Sequence, residues 1–304
     1  MTNEYIASDG VTKVFTGENP NVWKYVFDFD GYPAEAVLYR YESFETRTVL
    51  CISTQCGCPV GCTFCGTGNR FLKNLDWTEI LEQVHIVFKD QGLDNSNFSC
   101  NKMQIMFMSM GEPFLNYENV AMALQELNMK YPKADLLIST IAPNKPKELA
   151  SFIHTSKLVG KIGLQFSVHR STDHERDKLI PYRNKLSLRD LRNYGLQWFI
   201  ETGRKPYINY CIDGKNVTQG DVTNLMDLFP PNVFCFTFSV VCSADETMKE
   251  AGYRDINYIK EVEQEFMEAG YDTRVFDPAG QDDIGGGCGQ LWYVQQKLKE
   301  IENG

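Results

Sequence analysis

Six short apolar runs recur through the chain: RTVLCIS, MQIMFMS, DLLIST, KIGLQFSVH, YINYCID and VFCFTFSVV. Most are followed by an amphipathic stretch, in order WTEILEQVHIVFKDQ, YENVAMALQELNMK, KPKELASFIHT, LSLRDLRNYGLQWFIE and TQGDVTNLMDLF. Strands that alternate with helices lie parallel and are joined by right-handed crossovers. Six such units predict an α/β fold, a partial (β/α)6 barrel. Upstream, NVWKYVFDFD and AEAVLYRYES flank GYP and read as a β-hairpin. The expected organisation is an N-terminal β-hairpin extension over residues 1–44 and a core domain over 45–304.

In parallel α/β folds the chemistry gathers at the C-terminal strand ends. The polar and sulfur-bearing residues fall there. Cys58 to Cys65 follow the first run, Gly111 and Glu112 the second, Ser139 ends the third, and Ser167 and His169 end the fourth.

A chain of 304 residues buries enough surface to fold without disulfides. No apolar leader follows MTNEYIASDG and no 18-residue apolar run exists, so neither a secretory signal nor a membrane span is expected. The ten cysteines are therefore read as thiols of a cytoplasmic protein, where clustered thiols bind metal or do chemistry. Lys and Arg number 30 against 40 Asp and Glu, a balance of −10 that counts against a nucleic-acid partner. The stretch His169–Asn193 runs the other way, with seven basic and four acidic residues. It offers a local basic face or a solvated helix pair.

CGCPVGCTFC places four cysteines within ten residues. Cys58, Cys62 and Cys65 form C-x3-C-x2-C. Zinc sites pair two knuckles to reach four ligands, and a second knuckle is missing. Cys56 stands in a cramped C-x-C and is set aside. Three thiolates in one loop suit a [4Fe–4S] cluster, which then keeps one iron free for a non-protein ligand.

C-x3-C-x2-C, with the aromatic Phe64 before its last cysteine, resembles the radical S-adenosylmethionine (SAM) superfamily. CISTQCGCPVGCTFC, MFMSMGEPFLN, FSVH and DDIGGGCGQL together resemble the RlmN/Cfr family of radical SAM methyltransferases, over about Ala34 to Leu291. The resemblance implies methylation of C2 or C8 of adenosine in ribosomal or transfer RNA. It implies Cys58, Cys62 and Cys65 as cluster ligands, and two SAM molecules per turnover. One SAM would methylate Cys288; the other would yield the radical that removes hydrogen from that S-methyl group. The resulting carbon radical would add to the base, and Cys51 would release the product by attacking the Cys288 sulfur, leaving a disulfide. Gly111, Glu112, Ser139, Ser167 and His169 match SAM-contacting positions, and Glu35 matches a proton acceptor. An electron donor such as flavodoxin or ferredoxin is implied, and the chain is expected to be monomeric. Cys100, Cys211, Cys235 and Cys242 match no family role and read as core or incidental thiols.

Three departures from the family pattern are visible. Few residues precede the hairpin, so the family's RNA-gripping N-terminal domain is expected to be absent. Thr237 stands where the family has an asparagine toward SAM. PAGQDDI replaces a basic T-R-G-D-D-I approach to Cys288 and lacks its arginine. The same mechanism on a nucleotide, small heterocycle, protein or DNA is the alternative, and an iron–sulfur electron carrier or redox sensor the alternative of another class. An electron carrier has no use for a methyl-carrying cysteine and its resolving partner.

Overall fold

A four-stranded antiparallel meander, rather than one hairpin, opens the chain in this computed structural model, which describes residues 3–68, 70–94, 98–241, 253–277, 283–287 and 290. β1 (Asn3–Ile6) pairs with β2 (Lys13–Thr16), β2 with β3 (Val22–Phe29), and β3 with β4 (Tyr32–Tyr41). The expected hairpin is β3–β4, and it turns on Asp30 and Gly31 at φ 58 and 84. Two left-handed residues match the twist of the flanking strands. The first hairpin was not read from sequence because β1 exposes every residue and shows no alternation.

β4 pairs antiparallel with β5 (Arg47–Ile52), setting Val37 opposite Cys51. A separate ribbon follows, β6 (Gln55–Gly57) with β7 (Phe71–Asn74). From β5 onward the main sheet is parallel. Its order continues through β8 (Lys102–Phe107), β9 (Asp135–Thr140), β10 (Ile162–Ser167), β11 (Tyr207–Ile212), β12 (Cys235–Val240) and β13 (Thr273–Phe276). All six expected core strands form, and β13 adds a seventh.

The crossovers carry α1 (Trp77–Asp90), α2 (Tyr117–Lys130), α3 (Pro146–Leu158), α4 (Asp173–Leu179), α5 (Leu188–Thr202), α6 (Gln219–Leu228) and α7 (Ile256–Glu268). Local chemistry sets their ends. Asp76 and Glu79 form a capping box on α1, Thr218 and Asp221 one on α6, and left-handed Gly203 stops α5. The helices bury Phe152, Trp198 and Phe266 against the outer face of the sheet.

The sheet is rolled. Six interstrand spacings separate β5 from β13, roughly 29 Å if the sheet were flat. Yet Cys51 on β5 and Phe276 on β13 line one cavity. Strand twist supplies the curl. Among the described residues no ladder joins β13 to β5, so the barrel is partial. No described helix is long and apolar enough to cross a membrane.

Candidate active site

Cys58, Cys62 and Cys65 sit in the loop between β6 and β7, at the C-terminal end of β5. Gly57 enters that loop at φ 74, where a Cβ would stand 1.9 Å from the Arg70 carbonyl oxygen, so only glycine fits. The Thr63 amide donates to the Leu179 carbonyl at 3.0 Å and anchors the loop to α4. Cys58, Cys62 and Cys65 line a single cleft. Burial pushes all three thiols up, Cys58 to about 12. Backbone amides of Val60 and Gly111 are directed at the Cys58 sulfur, and those of Thr67 and Gly68 at Cys65. The buried Thr67 hydroxyl has no nitrogen or oxygen partner among the described residues and is also directed at the Cys65 sulfur. Donors aimed at sulfur are what thiolates need, and they fit a thiolate-held cluster. Thiolates on one zinc, each about 2.3 Å from it, crowd within roughly 4 Å of each other. Among the described residues no three donors are gathered for a single ion. Cys56 is fully buried outside this cleft, with its thiol toward the Tyr32 carbonyl at 3.6 Å.

The other wall of the cleft holds the residues read as SAM contacts: Gly111, Glu112, Ser139, Ser167 and His169. Gly111 has φ 97, and a Cβ there would strike Gln55 and Thr54 at 2.7 Å. Its glycine brings the Glu112 turn close to the cysteine loop. The Glu112 carboxylate accepts from Thr140 Oγ1 at 2.5 Å, the Ile141 amide at 2.9 Å and the Phe114 amide at 3.1 Å. Burial outweighs these bonds and raises it to about 7. An arriving ammonium would reverse that cost. His169 holds the left-handed φ of 59, and its Nδ1 accepts from the Cys211 amide at 3.0 Å. That bond leaves the proton on Nε2. Burial, then Arg176 and Arg170, lowers the imidazole to about 3, so it stays neutral. Phe64 packs edge-on against it at 5.3 Å.

Beneath the cleft lies a cavity of about 320 Å³, sharing Met108, Ser109 and Asn209 with it. Cys51 lines this cavity, and burial pushes its thiol up to about 12. Gly286 and Gly287 line it as well, and the Tyr39 hydroxyl donates to the Gly286 carbonyl. Cys288 itself is outside the described residues. Glu35 is fully buried on β4, two residues from Val37, so the register sets it diagonal to Cys51. Its carboxylate pairs with buried Lys24 at 2.8 Å.

No family model matches the chain. A dual-specificity RNA methyltransferase RlmN of Pseudothermotoga lettingae is 31% identical over 273 residues, covering 88% of this chain and 75% of that protein. The chain belongs to the RlmN family of radical SAM methyltransferases. An RlmN of Thermotoga neapolitana is 32% identical over 86% of this chain and 73% of its own. The crystal structure of a radical SAM methyltransferase from Sphaerobacter thermophilus superposes with a TM-score of 0.74 at 26% identity, covering 95% of this chain and 79% of that one. As an RlmN-family enzyme the chain is a SAM-dependent methyltransferase, and that chemistry calls on SAM and an iron–sulfur cluster.

Several placements differ from the reading of the sequence. Thr237 lines the deep cavity, not the cysteine cleft, and accepts from Arg274 Nε at 2.7 Å. Asn209 on β11 borders both spaces. It was legible only as a polar residue inside an apolar strand. Cys211, read as a core thiol, lines the cleft and fixes the tautomer of His169. Three of the seven basic residues of the stretch are ion-paired: Arg170 with Asp213 at 2.6 Å, Lys178 with Glu175 at 2.7 Å, and Lys185 with Asp177. Arg176 has no exposed surface. The helix-pair reading holds there, with Arg183 and Arg189 left exposed.

Proposed function

We propose that this RlmN-family enzyme methylates C2 or C8 of adenosine in RNA through a methyl-cysteine intermediate. The relatives named as dual-specificity RNA methyltransferases support the substrate class. The observation that carries the mechanism is the convergence of Cys51 with Gly286 and Gly287, the residues leading into Cys288, on a cavity that adjoins the three-cysteine cleft. When bound, the cluster and SAM supply a methyl group and a hydrogen-abstracting radical. Cys58, Cys62 and Cys65 hold the cluster. Glu112 and the Ser139, Ser167 and His169 wall hold SAM, while Thr237 faces the substrate below. Cys288 receives the methyl group, and its thiomethylene carbon bonds to the base. Glu35 accepts the proton from that base carbon, and the adduct gives up its odd electron, for which the cluster would be the acceptor. The Cys51 thiolate then attacks the Cys288 sulfur; an S–S bond forms as the S–CH2 bond breaks, and the leaving carbon keeps that electron pair and takes up a proton to become the methyl group. Residues 1–44 serve as an extension and 45–304 as the core. A flavodoxin or ferredoxin supplies the electrons to a cytoplasmic monomer.

The test is Cys51→Ala. This variant should methylate Cys288 yet stall after one round, purifying with substrate joined to Cys288. Digestion and mass spectrometry of the adduct identify the base. Normal turnover without an adduct would remove Cys51 from the mechanism.

A further inference from the structure

The deep cavity carries a charge arrangement that methyl transfer does not use. Arg47 opens β5 and Arg274 sits on β13, and both line the cavity. They come from opposite ends of the parallel sheet and meet because it is rolled. Each guanidinium lies over a tyrosine ring 4.4 Å from its centroid, Arg47 over Tyr41 and Arg274 over Tyr207. Neutral groups orient them further. Arg47 Nε and Nη2 donate to Gln104 Oε1 at 3.1 and 2.9 Å. Arg274 Nη2 donates to Gln165 Oε1 at 3.1 Å, and its Nε to Thr237.

Among the described residues neither guanidinium forms an ion pair with a carboxylate, and one carboxylate, Asp277, lines the same cavity. Buried Lys24, on the same sheet, is instead matched by Glu35. Burial holds Arg274 below its ordinary value, and nearby Arg47 adds to the effect. Arg274 remains charged at neutral pH. Like charges held on rigid supports around a cavity are costly until an anion arrives.

We infer that Arg47 and Arg274 are the anion-binding floor of the substrate cavity and hold a phosphate of the adenosine nucleotide. The identity of the base rests on the methyl-transfer reading; the anion site does not. Arg47 stands four residues from Cys51 on the same strand face, roughly 13 Å away along the strand. A base beside Cys51 thus directs its phosphate toward the arginines, whose planar forks match phosphate oxygens. The phosphate belongs to a free nucleotide or to an RNA backbone, and both present the same oxygens.

Calorimetric titration of the full chain tests this with two matched pairs. One is AMP against adenosine. The other is a short adenosine-containing oligoribonucleotide against the same strand with an uncharged methylphosphonate 5′ to the adenosine. The charged member of at least one pair should bind about tenfold or more tightly. Arg47→Gln and Arg274→Gln should each remove most of that difference, and the Lys variants should keep part of it. A difference in the AMP pair assigns a free nucleotide; one confined to the oligonucleotide pair assigns RNA. No difference in either pair, or differences unchanged in both Gln variants, overturns the inference. Circular dichroism confirms folding, and the Lys variants replace any Gln variant that fails to fold. Methylation of Cys288 in the unmodified protein is scored separately. Its absence would sink the methyl-carrier reading and leave the anion site to be judged alone.

Discussion

Replacing Arg176 with Met should destabilise the fold by roughly 2–4 kcal/mol. The figure follows from what the guanidinium holds. Arg176 Nη2 donates to the Ile141 carbonyl at 2.7 Å and reaches the Ser167 carbonyl at 3.5 Å, and Nη1 donates to the Leu186 carbonyl at 2.8 Å. One side chain thus ties the loop after β9 to the end of β10 and the approach to α5. Met has similar length and no donor. Two short charge-assisted bonds are lost, and each buried carbonyl left unpaired costs roughly 1–3 kcal/mol. Against this, removing a buried cation relieves desolvation, which already lowers Arg176 to about 10. Urea unfolding of the cluster-free chain, followed by circular dichroism, measures the balance. Arg176→Lys should fall between parent and Met because it keeps the charge and loses the fork. An Arg176→Met midpoint equal to the parent's, with unchanged slope, would refute the clamp.

Two further outcomes test the thiols. Anaerobically reconstituted protein should bind about four irons, lost on Ala replacement of Cys58, Cys62 or Cys65 and kept in Cys56→Ala, as iron analysis would show. The Cys51 thiol is pushed up by burial from 9.0 to about 12. On raising pH the unfolded chain therefore loses this proton first, so the thiol's contribution to stability is complete below the lower value and is lost across that window. The urea midpoint of the cluster-free chain should fall through it, less steeply in Cys51→Ala; an identical slope would refute the assignment.

The parallel core was legible because buried strands announce themselves as unbroken apolar runs, and β12 is buried at every position. β1 and β13 carried no such signal: one is wholly exposed, the other four residues long and half-buried throughout. The cleft was legible through its cysteine spacing and the Gly111–Glu112 turn, where chemistry and backbone geometry both restrict the residue. Arg47 and Arg274 were not. They stand 227 positions apart in sequence, and only the curl of the sheet turns two unremarkable arginines into neighbours. Arg176 failed for the opposite reason: a basic stretch predicts solvent exposure, and tertiary packing enclosed this one.

The bond from Tyr39 to the Gly286 carbonyl joins segments 247 positions apart. Cys51 leaves the ribosome more than two hundred residues before Gly286 and Gly287, which wall its cavity. Through that interval a nascent chain presents this thiol with its burial incomplete. Protection of Cys51 from oxidants thus belongs to the period of synthesis, and its cavity closes only when β13 and the glycines after it dock.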